Sequence, residues 1–385
     1  MKKEERQEFY SIDKLIASDL NAKYYVGYGE RSNGKTYQVL HLMLFGFHKK
    51  VNGTKIDWNG FLDDESQGAI VRRYDEDFRG GNGQKYFKAF YDSELTGNLI
   101  SERTKGKYNY IQFRNGEWRL CHVNDDGEID LRHPKPFCYK YSINAVEHSK
   151  GGSDDKVRYI LFDEFIARTG YLVNEFENLM NVFSTIIRQR DNVRIFFMGN
   201  TVNKYCPYFN DMGLFRVKTQ RQGTIDVYRY GDSPLEIAVE FTDSPTKKKK
   251  SDVYFAFDNP KLKMITSGAW EIDIYPHCPI KFFQCDIQYI YLIKFDDELL
   301  QCEIVYRDDR LFTFIHRKTS EIQKDKFTVI YQQDYNPLPN YTRRINKPRT
   351  TLEQRIWSFF VNEQVYYQDN EVGEVVRNYL IWCKS

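Results

Sequence analysis

The stretch that most narrows what this chain can fold into is "AKYYVGYGERSNGKTYQVL", residues 22 to 40. An apolar run leads into Gly29, four residues follow, and then come Gly34, Lys35, Thr36 and a run with helical character. Strand, glycine-rich loop and helix, in that order, bring loop amides and a helix N-terminus together around phosphate. At an average glycine usage of about 7%, the full G-x-x-x-x-G-K-[ST] pattern arises by accident in roughly one chain of this length in a hundred. The choice between a phosphate cradle and a turn that happens to precede Lys-Thr therefore falls to context.

That context is "VRYILFDEF", residues 157 to 165, a buried strand ending in two carboxylates. In the cradle reading Gly29, Arg31, Ser32, Asn33, Gly34, Lys35 and Thr36 wrap the phosphates of ATP. Lys35 reaches the β- and γ-oxygens, and the Thr36 hydroxyl and Asp163 hold Mg²⁺ from two sides. Glu164 follows Asp163 directly, where it can orient and deprotonate a water attacking the γ-phosphate; the plain alternative is an exposed loop glutamate. A base in that place favours an ATPase over a P-loop kinase, which must exclude water. A GTPase fits poorly: "VNKYC" offers Asn203 and Lys204 but Cys206 where N-K-x-D needs Asp, and Ile166 stands where D-x-x-G needs Gly.

Three further groups are candidates. "IIRQRDNVR" places Arg188 and Arg190 at a helix end, where they complement the helix dipole or, for Arg188, reach a neighbouring subunit's γ-phosphate. Asn200, at the tip of "RIFFMGN", senses phosphate or water, or caps a turn. Lys150 and Arg168, in loops, grip DNA phosphates without reading sequence, or are solvated loop charge. Arg343, Arg344, Lys347 and Arg349 form a second basic patch suited to RNA or protein, and Lys247 to Lys250 read as a solvated linker.

The strands alternate with helices: "GAIVRRY" after the first helix, then "VRYILFDEF", a helix over "NEFENLMNVFSTIIRQR", then "VRIFFMGNT". That order predicts an α/β domain with a mostly parallel sheet over 1–240. Phe176, Leu179, Met180, Phe183 and Ile187 share one face of the helix, with Asn174 and Glu177 as its cap. Residues 105 to 131 read as a hairpin insertion. A linker spans 241–278, and 279–385 is a small α+β domain: β-type alternation to 333, then helices over 351 to 366 and 371 to 382. Cys121, His122, His133 and Cys138 are metal-capable but lack a zinc spacing. Net charge is only +2, so any nucleic-acid footprint is local. No apolar run approaches a membrane span, the charged start has no signal-peptide core, and seven cysteines without C-x-x-C read as reduced thiols in a cytosol.

With these motifs in place, the chain resembles the DNA-packaging (encapsidation) ATPases of small, short-tailed, protein-primed bacteriophages of the phi twenty-nine type. The likeness runs through "GERSNGKT", "VRRY", "VRYILFDEFI", "NLMNVFSTIIRQRDNVR", "GNTVNKYCPYF" and "VVRNYL", strongly from about 20 to 210. Arg31 stands four places before the loop lysine, as in viral large terminases. The resemblance implies an ASCE-type P-loop ATPase that forms a homo-oligomeric ring, of five subunits, on the portal of an empty head in the host cytoplasm. It implies double-stranded DNA as cargo, and leaves open whether a packaging RNA is a further partner. It also implies a trans-acting finger at Arg188 and a DNA-gripping place at Lys150. The C-terminal domain then resembles a vestigial RNase H-like nuclease, for which Asp286, Asp296 and Asp297 are the only close carboxylates. Relative to that family the chain is longer at 50 to 66, 79 to 120 and the linker, with no role assigned to these parts. Two other classes remain: a capsid-independent DNA translocase or helicase, and a P-loop phosphotransferase or nucleotide-binding scaffold.

Overall fold

The computed structural model describes residues 10–31, 33–145, 155–168, 170–243, 270–278, 286–320, 322 and 327–384. Ser32, Lys150, Lys247 to Lys250 and most of the expected linker lie outside them. Two compact units emerge: Met1–Ala167, Leu172–Val202 and Asp211–Ala269 in the first, and Arg168–Tyr171, Asn203–Asn210 and Trp270–Ser385 in the second.

The strands of the first unit are β1 (Tyr24–Gly29), β2 (Phe47–Val51), β3 (Thr54–Trp58), β4 (Gln67–Arg72), β5 (Tyr110–Arg114) and β6 (Glu117–Val123). They continue with β7 (Ile129–Arg132), β8 (Cys138–Ser142), β9 (Val157–Asp163), β10 (Arg194–Asn200), β11 (Ile225–Arg229) and β12 (Glu236–Thr242). Apart from the β2–β3 hairpin they make one ten-stranded sheet in the order β11-β12-β1-β10-β9-β4-β8-β6-β5, with β7 on β6. From β12 to β8 every pairing is parallel, and antiparallel strands close both edges. The parallel strands read as continuous apolar runs because helices and loops cover both faces. β9, for example, buries Tyr159, Ile160, Leu161 and Phe162 in succession. The expected hairpin insertion is present as β5 and β6, joined to the main sheet through β8.

The helix Glu175–Ile187 forms where its pattern predicts, but it buries Leu179, Val182, Phe183 and Ile186, while Phe176, Met180 and Ile187 stay half-exposed. Its start is built differently from expectation. Asn174 is in the left-handed region at φ 51° and makes no side-chain cap, while the Glu175 carboxylate accepts the Leu172 amide at 2.6 Å.

The second unit holds β13 (Asp286–Phe295), β14 (Glu298–Arg307), β15 (Arg310–Arg317), β16 (Ile330–Gln332), β17 (Tyr341–Thr342) and β18 (Val365–Tyr367), in the order β17-β16-β13-β14-β15-β18. The first three form an antiparallel meander, and β16, β17 and β18 each join in parallel. The helices Thr351–Val361 and Asn370–Lys384 pack Ile356, Phe359, Val372, Val375, Val376 and Tyr379 into its core. The first ends at Val361 rather than 366. Beyond it Glu363 takes a positive φ, and the β-forming "VYY" pairs with β15 instead of extending the helix.

Candidate functional site

The glycine-rich loop joins β1 to the helix Lys35–Phe45. Gly29 sits at φ 154°, and a Cβ there would stand 2.2 Å from Thr242 Oγ1, so only glycine lets the loop pass the end of β12. Gly34, at φ 98°, opens the helix from a left-handed backbone that glycine adopts freely. Asn33 braces the turn: its amide donates to Thr242 Oγ1 at 3.2 Å, and its Oδ1 accepts from the Lys35 backbone at 3.4 Å. Tyr10 adds a strap, its amide bonded to Asn33 O at 3.0 Å and its hydroxyl to the buried Glu240 at 2.6 Å. The Lys35 side chain is buried among neutral oxygens: Glu30 O at 2.6 Å, Asn33 Oδ1 at 3.2 Å and Asn200 Oδ1 at 3.5 Å. Asn200, at the end of β10, is thus brought to the loop lysine. Arg31 is half-buried in the loop.

Asp163 ends β9 beside this loop. Its Oδ1 accepts the Thr36 hydroxyl at 2.8 Å, and its Oδ2 accepts Arg72 at 3.2 Å and the Tyr86 hydroxyl at 3.3 Å. Burial pushes the Asp163 carboxyl above its ordinary range, and the Arg72 guanidinium and the Thr36 hydroxyl pull it back. Glu164 follows in the left-handed region at φ 54°, a conformation uncommon for a non-glycine residue. Its side chain is 59% exposed, and its carboxylate is held by Arg72 at 2.7 Å.

Two residues that the sequence reading left without a role organise this end of the sheet. Arg72 and Arg73 are successive residues at the end of β4, so their side chains leave on opposite faces. Arg72 bridges Asp163, Glu164 and Asp77. Arg73 pairs with the buried Glu175 through its Nε at 2.9 Å and donates to the carbonyls of Glu164 at 3.4 Å and Phe165 at 2.9 Å. The available signal was the pair itself: two full charges ending the apolar run "GAIV".

The other candidates lie elsewhere. Arg188 is exposed at φ 51° just after the helix Glu175–Ile187. Arg190 is engaged locally, donating to the carbonyls of Ile186, Ile187 (3.0 Å), Asp155 (2.7 Å) and Val157 (2.8 Å). Those contacts fix this corner at the amino end of β9, about 20 Å of strand from Asp163. Arg168 forms a two-pronged pair with the buried Glu271, at 2.6 and 2.8 Å. Asp286 opens β13 while Asp296 and Asp297 follow its far end, so strand length, about 30 Å, keeps them apart. No helix among the described residues is long and apolar enough to cross a membrane.

Fold and site together define a mixed α/β protein whose large, mostly parallel sheet gathers a glycine-rich loop, an acid pair and a polar strand tip at the carboxyl ends of its central strands. Residues 137–254 match the family described as podovirus DNA encapsidation protein (Gp16). The DNA packaging protein of Bacillus phage B103 is 30% identical over 110 residues, 28% of this chain and 33% of that protein. That of Bacillus phage phi29 is 23% identical over 248 residues, 63% of this chain and 59% of that protein. The chain thus spans between a third and three fifths of the length of these relatives. Among solved structures, the bacteriophage Phi-29 viral genome packaging motor assembly matches at a TM-score of 0.53 and 18% identity, over 96% of both chains. The Phi-28 gp11 DNA packaging motor matches at 0.50 and 14%, over 98% of this chain and 99% of that one. The chain is thus similar to these phage DNA packaging proteins, as the resemblance read from the sequence implies.

Proposed function

We propose that this protein is the ATPase of a ring motor that drives double-stranded DNA into an empty phage head, seated on the head's portal in the host cytoplasm. The observation that carries the reading is the strand order. β10, tipped by Asn200, lies between the phosphate-loop strand β1 and the acid-bearing strand β9. An extra strand in that place, with a glutamate after the strand-end aspartate, is the arrangement expected of an ASCE-type P-loop ATPase. The names of the relatives supply the cargo.

The donor set fits Mg²⁺·ATP: two hard oxygens, Thr36 Oγ1 and Asp163 Oδ1, meet at 2.8 Å beside a lysine, glycine-rich amides and a helix N-terminus. Bound there, the ion would neutralise charge building on the phosphates. Amides of Gly29 to Thr36, Ser32 included, bind the phosphates, with Arg31 alongside them. Lys35 exchanges its neutral oxygens for phosphate. Asn200 orients the far side of the site. Glu164 acts as the base for water, and Arg72, which holds its carboxylate at 2.7 Å, must give up that contact for it to reach the water, so Arg72 governs when Glu164 works. Arg188 stands at the opposite end of the strands from Lys35, a place that suits action on a neighbouring subunit in a pentameric ring. Lys150 and Arg168 are the DNA-gripping residues of this reading; of the two, Arg168 must first leave Glu271.

The C-terminal sheet supports an RNase H-like, nuclease-inactive reading. Its order β15-β14-β13-β16-β17 is a meander followed by two strands parallel to its first, and its candidate carboxylates do not converge. A packaging RNA or the portal is its proposed partner. Robust Mn²⁺-dependent nicking of plasmid would overturn the inactive assignment. For the motor itself, ATPase rate per subunit should climb with protein concentration and again with double-stranded DNA. A flat, DNA-indifferent rate, even with empty heads present, would sink it.

A further inference from the structure

The segment between β4 and β8 has no part in the reading above, yet one of its side chains enters the site. Asp163 Oδ2 takes two donors, Arg72 at 3.2 Å and the Tyr86 hydroxyl at 3.3 Å, while Oδ1 takes Thr36 at 2.8 Å. Tyr86 belongs to none of the parallel strands. It follows the single turn Asn82–Lys85, and that turn is fastened to the β5–β6 hairpin. Trp118 Nε1, on β6, donates to Gly83 O at 2.8 Å. Gln84 accepts the Phe113 amide at 2.8 Å and donates to Ile111 O at 2.5 Å, both on β5. The Tyr86 ring packs 5.8 Å from Phe78 and 6.0 Å from the fully buried Trp118. A Cβ on Gly83 would stand 2.3 Å from the Phe113 ring, so turn and hairpin fit together without slack.

We propose that Tyr86 is a positioning residue for Asp163, and that the β5–β6 hairpin exists to hold it there. The inference rests on the reading of Asp163 as the Mg²⁺ carboxylate. An aspartate carboxyl turns freely about its last torsion. Three donors from three separate elements fix it: the loop helix through Thr36, β4 through Arg72 and the hairpin-held turn through Tyr86. A phenol also differs from a second guanidinium in kind. It fixes the oxygen without cancelling the negative charge a divalent cation needs. The hairpin thus serves the site from the sheet's edge, three strands beyond β9.

The test is Mg²⁺ titration of fluorescent ATP-analogue binding to the full chain, read as bound nucleotide and not as turnover. Tyr86→Phe keeps the ring and its packing but removes the hydroxyl. Loss of a partner behind a metal ligand typically costs about 10–100-fold in metal affinity. The Mg²⁺ needed for half-maximal binding should therefore rise about tenfold in Tyr86→Phe, with binding in EDTA unchanged. Trp118→Phe, which loses the bond to Gly83 but keeps an aromatic ring, should shift the same way by less, and it carries the test if Tyr86→Phe does not fold. A Mg²⁺ requirement equal to wild type in both variants overturns the inference alone. Binding that ignores Mg²⁺ in the wild type overturns the Asp163 reading, and this inference with it.

Discussion

The two ends of the parallel strands each carry a pair of arginines, and the pairs divide their work alike. At the carboxyl end Arg73 grips the carbonyls of Glu164 and Phe165 while Arg72 faces carboxylates. At the amino end Arg190 grips the carbonyls of Asp155, Ile187 and Val157 while Arg188 stands exposed. In each pair one guanidinium grips backbone carbonyls, Arg73 adding the buried Glu175 carboxylate, while of their neighbours Arg72 meets carboxylates and Arg188 stands exposed. A basic residue's proximity to a motif therefore says little; which oxygens it faces says more.

The largest expected effect lies in the exposed member of the amino-end pair. Arg188→Ala should cut DNA-stimulated ATPase by about 10³–10⁵-fold, the usual worth of such a finger. Mixing it with Glu164→Gln subunits should restore part of the rate, because an intact arginine then faces an intact base across a subunit boundary. No restoration would break the assignment of Arg188 to a neighbour's site. Glu164→Gln alone should lower turnover by about 10²–10⁴-fold and leave nucleotide affinity intact. If turnover survives, the base is elsewhere and Arg72 governs nothing.

The backbone-setting members should act on stability instead. Arg73→Ala strands the buried Glu175, and breaking such a pair costs about 3–5 kcal/mol in denaturant unfolding. Arg72→Ala should cost less, since Glu164 is solvated and the buried Asp163 keeps the Thr36 and Tyr86 hydroxyls; equal losses would erase the distinction. A pH profile gives the smallest and sharpest contrast. Glu240, near the carboxyl end, is pushed up to about 7 by burial. Between the unfolded value near 4.5 and about 7, the folded chain keeps a proton that the unfolded chain releases, so stability falls as pH rises and levels off above 7. Glu240→Gln keeps an acceptor for Tyr10. It should remove that slope, a difference on the order of 3 kcal/mol between pH 4 and pH 8.

Much of this was legible in the sequence, and for stated reasons. Contiguous motifs on buried strands fix their own surroundings, so Lys35, Thr36, Asp163 and Asn200 come together as their spacing implies. Residues that act across the sheet left no local pattern. Arg72 meets Asp163 at a separation of 91 residues, and Tyr86 meets it at 77, through pairings that periodicity does not encode. The helix Thr351–Val361 stops short of the expected 366 for a related reason. Its continuation is decided by β15, a strand distant in sequence, and not by local propensity. Arg168 pairs with Glu271, a partner 103 positions on that no local pattern announces.

The second unit borrows two short pieces, Arg168–Tyr171 and Asn203–Asn210, from sequence that lies just after the strands ending in Asp163 and Asn200. Within that unit Asn203 bonds Asn378, Lys204 pairs with Glu371, and Tyr205 joins the core around Phe295. A recombination event between related genes that exchanged only the C-terminal third would set a foreign helix against a native Asn203, Lys204 and Tyr205. Viable hybrids should therefore carry all three segments from one parent, or restore those partners by later mutation.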